Sequence, residues 1–119
     1  MNAIDLTING QKLNFSFGLG FLGEIIDKTG LDLDELNAKL SSNAFKYIPL
    51  VMFYSAEYSK KRIGESLDFT QYDMADWIEQ EEGAFSSDVV LKFFDGFTKS
   101  LTKDIPKSKP SKSTGKEKK

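Results

Sequence analysis

The fold is decided near the start of the chain, by Ile4-Asp5-Leu6-Thr7-Ile8, then Asn9-Gly10, then Gln11-Lys12-Leu13-Asn14-Phe15. Asn-Gly between two alternating runs predicts a β-hairpin with a type I′ turn, because both residues tolerate positive φ. Such a turn places four apolar side chains on one face, in the pairs Leu6 with Leu13 and Ile4 with Phe15. A lone hairpin is only marginally stable in water. The apolar face therefore needs a covering layer, which the rest of the chain supplies as helices.

Five helical segments follow the hairpin. Apolar spacing and end signals predict helices over 19–29, 32–40, 43–63 and 70–82, and from Ser86 or Ser87 to Pro106. In the third, Pro49 predicts a kink or a later start. The fold class is α+β, mostly α, with an N-terminal β-hairpin packed on about five helices. Residues 1–104 form one hairpin-plus-helical domain, and residues 105–119 form a disordered, Lys-rich C-terminal tail.

The amino-acid composition excludes several classes of catalytic chemistry. The chain has 119 residues, 39% hydrophobic, with no His and no Cys, which excludes Ser-His, Cys-His and Cys/His-zinc chemistry. No apolar run is long enough to cross a membrane, and the N-terminus lacks a signal-peptide pattern. We therefore expect a cytoplasmic, non-enzymatic protein without catalytic residues, cofactor, metal or membrane partner.

Charge is divided along the chain. Residues 105–119 hold six Lys and one Glu, which gives +5, whereas the other 104 residues hold 10 basic and 17 acidic groups, which gives −7. A solubilising tail is favoured over contact with an acidic partner. Nucleic-acid binding is disfavoured, because the body is acidic and carries no nucleic-acid module.

Two local patterns resemble sites. The run from Gly18 through Gly20 to Gly23 fits G-x-G-x-x-G, but the strand before it belongs to a hairpin and not to a βαβ unit, so packing or turn geometry is favoured over dinucleotide binding. Close packing of these glycines against the hairpin is one such role. The acidic run from Asp73 to Glu82 lacks calcium-loop spacing and fits a solvated helix face.

An aromatic face is the candidate partner-binding site. On the third helix it comprises Tyr47, Val51, Tyr54 and Tyr58, and Trp77 on the fourth helix adds to it. Tyr and Trp are enriched at interfaces because they bury a large area and keep a polar tip. The alternative is that these side chains pack under the fourth and fifth helices, since the longest helix of a small domain must bury one side.

The order of features resembles the small tail assembly chaperones of long-tailed bacteriophages. The likeness covers about residues 4–104 and rests on an Asn-Gly hairpin entering a helix, a leucine-rich short helix at 31–36, a helix carrying 48–56, and Tyr72-Asp73-Met74-Ala75-Asp76-Trp77-Ile78. The resemblance implies binding of the tape measure protein, recruitment of tail tube protein, and a longer product made by ribosomal frameshifting. It carries over no binding residues. A self-associating structural or adaptor subunit is the second hypothesis, and a carboxylate enzyme is the third.

Overall fold

A computed structural model of the protein describes the backbone of residues 3–104 and the side chains of residues 3–101. The elements in chain order are β1 Ala3–Ile8, β2 Gln11–Ser16, α1 Leu19–Thr29, α2 Leu33–Ser42, α3 Ala44–Arg62, α4 Gln71–Gln80 and α5 Asp88–Asp104, with a 3₁₀ turn at Ala84–Ser86 before α5. The α+β, mostly α fold, with an N-terminal hairpin on five helices, is confirmed. The tail predicted at 105–119 lies outside the described residues.

The hairpin has the predicted register. Leu6 pairs with Leu13, and Ile4 with Phe15, across the two antiparallel strands. The turn residue Asn9 adopts a positive φ of 47°, as a type I′ turn requires. Its backbone N–H donates a 2.6 Å hydrogen bond to the Glu81 carboxylate, which ties the turn to the end of α4.

Local side-chain hydrogen bonds fix the starts of two helices. Asp32 with Glu35, and Thr70 with Asp73, form capping boxes at the starts of α2 and α4. The prediction that α4 reaches residue 82 is wrong by two residues, because Glu81 is already extended, with ψ of 142°. The 3₁₀ turn was not predicted, since three residues are too few to show a period.

Helix α3 begins at Ala44, directly after Asn43, and runs through Pro49, so of the two effects predicted for Pro49 the later start does not occur. Pro49 is the sixth residue of the helix, and its missing N–H leaves the Phe45 carbonyl without its helical donor. Phe45 lies at the exposed start of α3, where water can bond that oxygen. The ring of Pro49 is itself buried.

The core lies between the hairpin, α3 and α5. Helix α3 contacts β2, α1, α2 and α4, which makes it the central helix. Its buried Ser55 hydroxyl donates a 2.9 Å hydrogen bond to the Ser16 carbonyl of β2. From α5, the Phe93 ring lies 5.2 Å from that of Phe15 and 5.3 Å from that of Phe17. The apolar face of the hairpin is thus covered by helices, as expected.

Candidate functional site

The structure divides the predicted aromatic face between core and surface. Val51 is 0% exposed and belongs to the core, so it has no surface to offer a partner, and its assignment as a partner-binding residue is corrected. Tyr47, Tyr54, Tyr58 and Trp77 are half-buried against the core. Their role in binding stays a prediction.

Tyr54 and Tyr58 pack toward α1, whereas the alternative interpretation placed them under α4 and α5. The Tyr58 ring lies 6.4 Å from that of Phe21. A Cβ atom added to Gly20 would lie 1.8 Å from Tyr58 Oη. Gly20 therefore permits close packing of α1 on α3. The prediction that this glycine packs against the hairpin is wrong. The Lys28 ammonium lies 5.8 Å from the centre of the Tyr54 ring.

Trp77 and Tyr54 belong to a continuous row of aromatic rings, here called the aromatic strip. It comprises Tyr54, Phe53, Phe69 and Trp77, with successive ring centres 5.4, 5.9 and 4.8 Å apart. All four side chains are half-buried. The strip joins α3 to α4 through the connecting loop, so the structure brings together two of the residues singled out from the sequence.

A second aromatic cluster is far more exposed. Phe45 is 82% exposed and Tyr72 is 75% exposed, which are the two largest fractions among the exposed large apolar side chains of residues 3–101. The Phe45 ring lies 5.4 Å from the half-buried ring of Phe85 in the 3₁₀ turn. Large side chains exposed together mark interaction sites more often than single ones do.

Two hollows lie on either side of Phe45. One holds about 190 Å³ and is lined by Phe45, Lys46, Pro49, Leu50, Gln71, Tyr72 and Ala75. The other holds about 360 Å³ and is lined by Phe45, Pro49, Ala75, Ile78, Glu79, Ala84 and Phe85. These residues together are called the Phe45 groove, which runs along α4 from its start to its end. The smaller hollow is below the usual size of a small-molecule site and the larger is at the lower end of that range, so both are of a size to take single protruding side chains.

The sequence carried a partial signal for this groove. Tyr72 falls outside the apolar edge of α4, which is formed by Met74, Trp77 and Ile78, so an aromatic side chain was left facing away from the core. Phe45 gave no such signal, because it shares a side of α3 with Met52 and Ile48. Met52 is fully buried, whereas Phe45 extends beyond the edge of the core.

The groove lies in the most acidic part of the chain. Residues 63–91 contain eight acidic side chains and no Lys or Arg, a net charge of −8. Glu79 lines the larger hollow, and Lys46 lines the smaller one. The two ends of the groove therefore differ in charge.

Lysines at the end of α3 are engaged with carboxylates. Lys61 Nζ lies 2.9 Å from a carboxylate oxygen of Glu24, and Lys60 Nζ lies 3.1 Å from one of Glu65. The hydrogen bond to Glu24 raises the pKa of Lys61, burial opposes this, and the charges of Glu24 and Glu57 add to the increase. The Lys61–Glu24 contact joins α1 to α3, whereas the Lys60–Glu65 contact is local to the end of α3.

In the described part of the chain, neither the glycine run at 18–23 nor the acidic run at 73–82 has the geometry of a ligand-binding site. Within residues 3–104, no three His, Cys, Asp or Glu side chains are grouped so as to hold a metal ion. The glycine run lies between β2 and α1, and in this described part of the chain β2 pairs with β1 alone. A dinucleotide fingerprint needs a parallel βαβ context.

Across the described helices, none combines the length and apolarity needed to cross a bilayer. No protein-family model, no curated protein and no solved structure matches this chain significantly.

Proposed function

We propose that this protein is a non-enzymatic tail assembly chaperone of a long-tailed bacteriophage. It binds the tape measure protein and keeps it soluble in the host cytoplasm, with tail tube protein as a second partner. The single observation that carries the proposal is the Phe45 groove, an open apolar surface within an acidic stretch of the chain.

A protein that holds an insoluble client needs two surface properties. It must expose apolar side chains to cover the apolar parts of the client, and it must carry enough net charge to keep the complex dissolved. Phe45 and Tyr72 meet the first need. The net charge of −7 on residues 1–104 meets the second.

A structural or adaptor subunit that associates with itself is the second candidate. It is favoured by exposed large apolar side chains outside the groove, namely Leu19, Ile63 and Leu91, which lie on different elements. Contacts between copies that form rings or filaments use two different surfaces of each subunit, and exposed apolar side chains on more than one element fit that need.

The test is co-expression with the tape measure protein of the same phage, scored by client solubility and co-purification. We expect the native chain to keep the client soluble and the double variant Phe45→Ser, Tyr72→Ser to lose it, because both side chains lie in the groove and outside the core. Leu91→Ser is the matched control, since Leu91 is also exposed but lies on α5.

Unfolding curves of each variant separate lost binding from lost folding. An insoluble client in the presence of the native chain, together with rings or tubes formed by this protein alone, would replace the chaperone by the structural subunit.

A further inference from the structure

We propose that the Phe45 groove takes an amphipathic helical segment with a defined pattern. Two apolar side chains, spaced i and i+4, enter the two hollows, and basic residues flank the side chain that enters the larger hollow. This inference rests on the proposed function only in taking the segment to be part of the client.

The spacing follows from the geometry of α4. The smaller hollow is lined on α4 by Gln71, Tyr72 and Ala75, and the larger by Ala75, Ile78 and Glu79. The two sets are displaced by between four and five residues, which along a helix is on the order of 6–7 Å. Residues i and i+4 of a second helix are separated by about the same rise. Phe45 stands between the hollows and would lie between the two anchors.

The charges around the groove predict which end of the bound segment carries basic residues. Glu79 lines the larger hollow, Glu82 follows it in sequence, and the negative end of the α4 dipole points the same way. Lys46 lines the smaller hollow. The bound segment should therefore carry Lys or Arg beside the apolar side chain that enters the larger hollow. It should carry no basic residue beside the side chain that enters the smaller hollow. Such charges fix register and orientation more than they add affinity.

Other segments of the same chain fit less well. Residues 107–119 have the right charge but contain only Lys, Ser, Pro, Thr, Gly and Glu, so they offer no large apolar side chain to the hollows. A second copy would bring a body of net charge −7 against the acidic stretch 63–91. Like charges placed together oppose association.

The test uses the full-length protein and labelled peptides in a fluorescence anisotropy titration. The probe is a helical peptide of about 15 residues with Leu at i and i+4, Lys beside the second Leu, and Ala and Gln elsewhere. Matched peptides replace either the Lys residues by Glu or the two Leu residues by Ser. We expect each replacement to weaken binding by about tenfold or more.

Protein variants locate the contact. Phe45→Ser and Glu79→Lys should each weaken binding of the Lys probe about tenfold, and Glu79→Lys should strengthen binding of the Glu peptide. Leu91→Ser is the control and should bind as the native chain does. Equal binding of the Lys and Glu peptides, or equal loss in the Leu91→Ser control, would overturn the proposal.

Two other results would assign the Phe45 groove to a different binding partner. Displacement of the probe by a synthetic peptide of residues 105–119 would assign the groove to the chain's own tail. Self-association that Phe45→Ser abolishes, measured by sedimentation, would assign it to a second copy. Either result overturns the inference.

Failure of the inference is distinguishable from failure of the proposed function. If the probe binds as expected but the tape measure protein stays insoluble, the groove binds the predicted helical pattern and the tape measure protein is not its client. If the client is solubilised equally by the native chain, Phe45→Ser and Glu79→Lys, the chaperone stands and the groove is not its site.

Discussion

Two phenylalanine pairs in this molecule have almost the same separation between ring centres and opposite surroundings. Phe15 and Phe93 lie 5.2 Å apart under the hairpin, and Phe45 and Phe85 lie 5.4 Å apart beside α4. Both rings of the first pair are fully buried, whereas Phe45 in the second is 82% exposed. A ring contact alone therefore does not show whether an aromatic pair stabilises the fold. The area removed from water decides this.

Truncating one ring from each pair tests this difference and has the largest expected effect. Phe93→Ala removes a ring that contacts Phe15, Phe17 and Phe97, and should lower the free energy of unfolding by about 3–5 kcal/mol. Phe45→Ala should change it by no more than about 0.5 kcal/mol, because little of its surface is buried. Urea unfolding followed by circular dichroism measures both.

Equal losses in the two variants would break the comparison. They would show that the Phe45 groove is closed in solution and that its rings are part of the core. The full-length chain is the reference in both measurements.

Substitution of two glycines of α1 tests whether Tyr58 of α3 belongs to the core or to the surface. A Cβ at Gly20 meets the Tyr58 hydroxyl, so Gly20→Ala forces that ring to shift and should destabilise the protein by about 1–3 kcal/mol. Gly23 has no atom within 4 Å of an added Cβ. Gly23→Ala should therefore stabilise the protein by about 0.5–1 kcal/mol through helix propensity.

Thermal unfolding of the two alanine variants gives the sign of each change. A double-mutant cycle with Tyr58→Ala shows whether the two positions are coupled, since neighbours in contact are not additive. Stabilisation by Gly20→Ala would mean that Tyr58 swings out at little cost and lies at the surface, free to serve a partner.

Much of this fold was accessible from the sequence, because its signals are local. The Asn9-Gly10 turn sets its own register, and capping boxes at Asp32 and Thr70 satisfy backbone groups within three residues. Such interactions join residues that are close in the chain, so the sequence shows both partners at once. Pattern reading therefore succeeded for the hairpin and for the starts of α2 and α4.

The candidate site was less accessible, because α3 is apolar on several sides. Over its 19 residues the pattern does not say which side meets the core. Val51 is a candidate partner-binding residue by its pattern and is fully buried, whereas Phe45 lies on the same side of α3 as the buried Met52 and is exposed. The neighbour of Tyr58 depends on where α1 crosses α3, which tertiary packing alone determines. The one usable signal was Tyr72, an aromatic residue off the apolar edge of its helix.

The smallest expected effect concerns the ion pair that joins α1 to α3. Lys61→Met should lower the free energy of unfolding by at most about 1 kcal/mol, because the Lys61 side chain is half exposed and solvent screens the pair. Glu24 raises the pKa of Lys61 in the folded state. This contribution is complete below the ordinary pKa of 10.5 and is lost as the pH rises through the folded pKa. The difference between native chain and variant should thus be constant from pH 7 to 9 and shrink above the ordinary pKa. Lys92→Met, which removes an exposed pair within α5, controls for general charge. A difference that stayed constant above the ordinary pKa would show that Lys61 stabilises the fold by packing of its alkyl chain and not by its charge.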